Sequence, residues 1–361
     1  MDLRMTAPDT SESRLVTIAA DDLRAFSSRL FQAEGVSSAE ADVVAASLVE
    51  SNLCGHDSHG VVRVVEYLGF LNDGAVRSGV DLQLVSQTPS SLVCDGNLGF
   101  GQVQMQRLID LLEPMARGQG LACGTMRRCG HVGRLGEWVE KVAAKGLAGL
   151  MAVNDNGVLK SVAPPGGKEP RISTNPIAIG VPTATAPLVL DISTSTVANG
   201  KVRVAQIAGR ACPDGWLLDA EGRPTNDPST RFADPPGSIV PMGGYKGFGL
   251  GMLMDILVGG LSGGFCPPAP RHERECNNVL MLVFAPARFG GLGHFVEQSQ
   301  ALCDYVRSAT PINPNASIRL PNDRSRELAE KRRREGVPLD VGAWNQMLAA
   351  AERRQVAVPS L

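Results

Sequence analysis

Residues 147–153 read LAGLMAV, seven apolar residues in a row with no polar alternation. A strand that is apolar on both sides has to be covered on both sides, so this stretch predicts the interior of a layered sheet. Its neighbours extend the pattern: a strand over 121–126, a glycine-punctuated turn, and a helix over 134–145 closed by Gly146. From Gly120 onward the chain therefore reads as α/β.

It does not open that way. Asp21 or Asp22 caps a helix with Leu23, Phe26, Leu30 and Phe31 at helical spacing, stopped by Gly35. Ser37 or Ser38 caps a second, with Val43, Val44 and Leu48 inward and Gly55 at its end; Val61, Val64, Val65, Leu68 and Leu71 make a third apolar face. Residues 1–19 read as a loose arm. Strands follow over 82–85 and 91–95, then a helix over 102–117 with Leu108, Leu111, Leu112 and Met115 buried. Beyond 153, strands are predicted over 177–182, 188–192 and 279–284, a hairpin over 216–224, a buried helix over 246–261, and helices over 201–209 and 294–307. Two charged helices, over 325–335 and 341–354, close the chain. The basic run Lys331 to Arg334 sits beside Glu327, Glu330 and Glu335 and reads as a solvated helix face.

Composition narrows the function. The 35 basic and 37 acidic residues nearly cancel, which points away from nucleic acid and anionic membrane as partners. The eight cysteines contain no C-x-x-C pair and read as reduced thiols of a cytoplasmic protein rather than a disulfide framework or zinc site. The first twenty residues carry Asp2, Asp9 and Glu12, unlike a secretory leader, and the most apolar run, 250–261, is too short for a bilayer and contains Asp255.

The chemistry-bearing stretch is Asp57-Ser58-His59-Gly60-Val61-Val62-Arg63. An imidazole passes protons near neutrality, and a guanidinium four residues on suits a carboxylate or phosphate. The same cluster also reads as a plain helix start, capped by Asp57 or Ser58 with His59 at the surface. No G-x-G-x-x-G lies between an early strand and a helix, so ordinary dinucleotide geometry is not expected. Gly130-His131-Val132-Gly133-Arg134-Leu135-Gly136 is a strand-to-helix turn whose N–H groups could face an anion, or a tight turn with a surface histidine. Thr174-Asn175-Pro176, Asp191-Ile192-Ser193, Asn199-Gly200-Lys201 and Gly244-Tyr245-Lys246-Gly247 add polar groups at strand ends and helix starts. His56 and His59 lack further ligands for a metal, and no G-x-S-x-G surrounds Ser58.

Taken together and in this order, these blocks resemble the type 2 malate/L-lactate dehydrogenases, a group that includes ureidoglycolate and sulfolactate dehydrogenases, diketogulonate reductase and Δ1-piperideine-2-carboxylate reductase. The resemblance runs from about residue 17 to 350. It implies a non-Rossmann nicotinamide-binding fold of the L-sulfolactate/malate dehydrogenase type, with helical N- and C-terminal regions packed together. The divisions expected are an arm (1–19), a helical region carrying the histidine (20–118), a cofactor-binding α/β domain (119–310) and a C-terminal helical segment packing back on the first (311–361). It further implies a homodimer that uses NAD or NADP and a small 2-hydroxy or 2-oxo acid. His59 matches the proton donor, oriented by Ser58. Arg63, His131, Val132, Gly133, Arg134, Leu135, Asp191, Ile192, Ser193, Asn199, Gly200 and Lys246 match cofactor-holding positions, and Thr174 one that touches substrate. The family's cofactor-contacting Pro-Gly-Glu stands here as Pro321-Asn322-Asp323, which keeps the acid and loses the glycine. The imine reductases put an Asp in the relay with Ser and His where this chain has Lys201, so Lys201 joins the relay here and a cyclic-imine substrate ranks second. A nucleotide-binding protein without the chemistry is the remaining alternative.

Overall fold

The computed structural model describes residues 15–207 and 209–359. In chain order the elements are β1 (Leu15–Ile18), α1 (Ala20–Gln32), α2 (Ser38–Leu53), α3 (Arg63–Asn72), β2 (Gln83–Gln87), β3 (Ser91–Asp95), α4 (Gly101–Gln119), β4 (Leu121–Cys129), α5 (Leu135–Ala144), β5 (Ala148–Asn154), β6 (Ile177–Val181) and β7 (Leu188–Ile192). There follow α6 (Asn199–Ile207), β8 (Leu217–Leu218), β9 (Pro224–Thr225), β10 (Ser238–Ile239), α7 (Tyr245–Asp255, continued by a π turn, Ile256–Gly260), β11 (Asn277–Phe284), α8 (Leu292–Arg307), α9 (Asp323–Glu335), β12 (Val337–Asp340) and α10 (Val341–Arg354).

Seven strands form one sheet in the order β2-β3-β4-β11-β5-β6-β7. Only β3 and β4 pair in parallel; β11 lies antiparallel between β4 and β5. This explains the apolar run. In β5, Met151 and Val153 enter a core with Leu108 and Leu112 of α4 and Trp138, Val139 and Val142 of α5. Ala152, on the opposite face, packs with Leu280 and with Val258 of the π turn. Leu150 on that same face is only half-buried and lines an apolar groove with Ile179, Phe284 and Phe295.

A second core joins the two ends of the chain, packing Leu23, Phe26, Leu48, Val64 and Leu68 with Ala329, Leu339, Trp344 and Met347. A third, smaller one surrounds the β8–β9–β10 hairpin region.

Several local expectations need correction. Residues 15–18, expected inside the arm, form β1 and pair antiparallel with β12, a strand absent from the sequence reading. Four residues are too few for a periodicity to show. Residues 1–14 of the expected arm lie outside the described residues. Helix α1 starts at Ala20, so Asp21 and Asp22 sit in its first turn, where they favour the helix dipole rather than cap it. Ser37 does cap α2, accepting from Glu40 N at 3.3 Å. Leu111 faces solvent. The helix expected to be buried over 246–261 exposes Met252, Leu253, Ile256, Leu257 and Leu261. In the basic run, Arg332 and Arg333 are not free: they reach across to Asp57 and Glu50 of the N-terminal region.

Candidate active site

His59 ends a three-residue 3-10 turn, Asp57–His59, in the connection from α2 to α3. Ser58 Oγ lies 3.0 Å from His59 Nδ1, which leaves Nε2 as the nitrogen available to a ligand. Arg63 opens α3, donating from Nε to the Ser58 carbonyl at 2.8 Å and from a terminal nitrogen to Glu66 at 2.6 Å. The His59 ring stacks on that of His131, with centroids 5.4 Å apart. His131 Nδ1 is 2.7 Å from the Tyr67 hydroxyl, to which Gln102 donates at 3.2 Å. A small cavity of about 70 Å³ opens beside His131, bounded by Phe70, Val76 and Glu275.

Burial pushes the His59 imidazole down to about 3, helped by the positive charges of Arg63, Lys201 and Arg134. Burial, Arg134 and Lys201 likewise hold His56 down at about 4. His131 is also held well below its ordinary value, first by burial and then by Arg63. All three are neutral rings at neutral pH.

Lys201 and Gly200 enter from the start of α6, close against the turn: a Cβ on Gly200 would stand 3.4 Å from Ser58 Cβ and 3.6 Å from an Arg63 terminal nitrogen. Val132 N donates to Asn277 Oδ1 at 3.0 Å, and Gly133 takes a φ of +76° that a side chain would resist. The turn then brings Leu135 into the core and buries Arg134. The sequence leaves open whether the N–H groups at the start of α5 face an anion or belong to a plain tight turn. One of them, Gly136 N, already donates to Asp191 Oδ2 at 2.7 Å. Burial raises the Asp191 carboxyl, and this hydrogen bond and Arg134 pull it back.

Ile192 and Ser193 follow at the end of β7, where Ser193 Oγ donates to the Thr174 carbonyl at 3.1 Å. Lys246 is exposed at the start of α7, beside a Gly247 packed so closely that a Cβ would meet the Thr194 carbonyl at 2.4 Å. Asn322 donates to Glu140 at 3.4 Å, and Glu140 accepts from Arg134 at 3.3 Å. The Asp323 carboxylate is taken up by Arg307, Arg326 and the Leu320 N–H. Thus Ser58, His59, Arg63, His131, Gly200 and Lys201 share one place. Arg134 and Asp191 adjoin it, and Asp323 is committed elsewhere.

Among the described residues, the buried groups there without partners include Nε and one terminal nitrogen of Arg134, Oδ1 of Asn199 and Oε1 of Gln102. A buried guanidinium with free N–H groups calls for an anion, and a free amide oxygen calls for a donor. A nicotinamide nucleotide carries both phosphate oxygens and a carboxamide N–H, so the residues present fit one.

Three features escaped the sequence reading. Tyr67 stands four residues after Arg63 on α3, a spacing that was visible, but Gln102 is brought to it only by packing. Asn175, at a φ of +34°, donates to Asp255 at 2.8 Å, and Asn154 donates to the same carboxylate at 2.7 Å; this braces the loop that bears Thr174. Nearby, burial pushes the Asp155 carboxyl up to about 7.

A sequence model described as malate/L-lactate dehydrogenase matches residues 18–348. The chain belongs to that family of oxidoreductases. It is 32% identical over 345 residues to hydroxycarboxylate dehydrogenase B of Escherichia coli strain K12, covering 94% of each chain. It is 36% identical over 309 residues to a (2R)-3-sulfolactate dehydrogenase (NADP(+)) of Chromohalobacter salexigens, covering 83% of this chain and 90% of that one. The solved structure of sulfolactate dehydrogenase from Methanocaldococcus jannaschii superposes with a TM-score of 0.84 at 26% identity, over 95% of this chain and 98% of that one. The fold is accordingly the non-Rossmann α/β type of the sulfolactate and malate dehydrogenases. Among the described residues, no helix is long and apolar enough to cross a membrane.

Proposed function

We propose that this chain transfers a hydride between NAD or NADP and C2 of a small 2-hydroxy or 2-oxo acid, with His59 carrying the proton, as a cytoplasmic homodimer. The observation that carries the reading is the half-buried His59, its Nδ1 on Ser58 Oγ and its Nε2 free, among Arg63, Lys201 and His131.

The cofactor, when bound, supplies or accepts the hydride. The neutral His59 takes the proton of the substrate hydroxyl at Nε2 during oxidation and returns it during reduction, and Ser58 Oγ holds the ring's other nitrogen in register. Arg63 and Lys201 supply positive charge for the substrate carboxylate, and the unpartnered N–H groups of Arg134 suit an anionic part of the nucleotide. The dimer draws support from the apolar side chains that α7 and its π turn leave in solvent, which a second copy would cover.

The test is a fluorescence titration with NADH and NADPH, followed by turnover on pyruvate, oxaloacetate and a cyclic imine carboxylate. His59→Ala is expected to lower kcat by about a hundred- to ten-thousandfold while nucleotide affinity stays nearly intact. Near-normal turnover in that variant would refute the reading.

A further inference from the structure

We infer that Arg332, in the last turn of α9, is a positioning residue that sets His59 through Asp57 and Asn52. The inference rests on His59 being the proton carrier. The turn bearing His59 has few bonds of its own: His59 N donates to the His56 carbonyl at 2.8 Å and Gly60 N to the Asp57 carbonyl at 3.2 Å. Its shape is imposed from outside. Arg332 holds both oxygens of Asp57, at 2.8 and 3.3 Å, and also donates to the Asn52 carbonyl. Asn52, almost wholly buried, donates from Nδ2 to Asp57 at 2.8 Å and accepts at Oδ1 from Val61 N, also at 2.8 Å. The two ends of the 57–61 segment are thereby tied to the Asn52 side-chain amide, and the Asn52 backbone carbonyl and Asp57 to one guanidinium. Gly60 passes so close that a Cβ would stand 2.1 Å from Asn52 Oδ1, so the segment has little room to settle differently.

Helix α9 acts as a strut between two parts of the site. Near its start, Asn322 meets Glu140, the partner of Arg134; at its other end is Arg332; between them, Leu328 lies where a Cβ on Gly55 would fall, at 2.5 Å. The Asp57 side chain is 51% exposed and that of Arg332 14%, so water screens the pair from the Asp57 side and weakens its hold on overall stability. Placement is different in scale, since a shift of about 1 Å at a reacting group can cost roughly a hundredfold in rate. Loss of Arg332 should therefore act on turnover far more than on melting.

The experiment is a double-mutant cycle of Arg332→Met with His59→Ala, using the acid and nucleotide that give the highest turnover in the panel above. Arg332→Met is expected to lower kcat about ten- to a hundredfold, with nucleotide Kd within about twofold. In the His59→Ala background it should cost almost nothing further, because the group it positions is gone. A kcat within twofold of the parent, or the same fold-loss in both backgrounds, overturns the inference. A His59→Ala variant that keeps its turnover overturns instead the assignment of His59. Should Arg332→Met not fold, Arg332→Lys enters the same cycle, and nitrogen-15 NMR of the His59 ring reads its surroundings without turnover. Ring shifts identical to the parent's would also overturn the inference.

Discussion

His59 is half-buried beside the positive charges of Arg63, Lys201 and Arg134, and both burial and charge favour its neutral form. In the free enzyme it is therefore ready to accept a proton well below the range of an ordinary histidine. We expect kcat/KM for hydroxy-acid oxidation to persist from neutrality down to about pH 5, where an unperturbed imidazole would be mostly protonated. A fall centred near pH 6.5 would contradict this electrostatic account. Asp155 is the opposite case, an acid whose carboxyl burial pushes up to about 7. With the folded value above the unfolded one, the native state binds the extra proton, so this group's contribution to stability is present at low pH and lost as pH rises toward 7. Asp155→Asn removes that loss. Melting curves should show the variant gaining on the parent between about pH 4 and 7, with the gap levelling off above 8. A gap that does not vary with pH would exclude Asp155 as the titrating group.

At the scale of elements, the approach of α5 to β6 is set by a glycine. A Cβ on Gly180 would stand 2.5 Å from the Val139 carbonyl oxygen, a backbone atom that cannot swing aside. Gly180→Ala should cost about 1–3 kcal/mol in urea unfolding. It should also weaken nucleotide binding, since α5 begins at the turn that bears Arg134. Gly249, inside α7 with open space around its Cβ position, is the control: Gly249→Ala should be neutral or stabilising by up to about 1 kcal/mol. Helices and long strands were legible because their apolar spacing runs over many residues, as in Leu23, Phe26 and Leu30 of α1. The short strands β1 and β12 were not, because four residues carry no period and their pairing joins opposite ends of the chain. The basic run misled for a related reason: local sequence shows Glu327 and Glu330 beside it, but not that Asp57 and Glu50 stand opposite.

For the whole molecule, the apolar surface of α7 and its π turn bears on assembly. Leu253 is 59% exposed in the single chain, and Leu253→Glu is expected to shift sedimentation from dimer to monomer. An unchanged profile would place any dimer contact elsewhere. Composition and periodicity by themselves determined an α/β chain with a helical opening, an apolar strand in the interior of its sheet and no ordinary dinucleotide loop. The order of short motifs determined the family, because residue identity at a few spaced positions is written directly in the sequence. Tertiary structure alone decided that His131 stacks on His59 with Tyr67 behind it, that the α5 start is already capped by Asp191, and that α9 reaches back to the turn bearing His59. Those facts depend on contacts between residues far apart in the chain, such as Asp57 and Arg332, and such contacts exist only once the sheet and both terminal helical regions have packed.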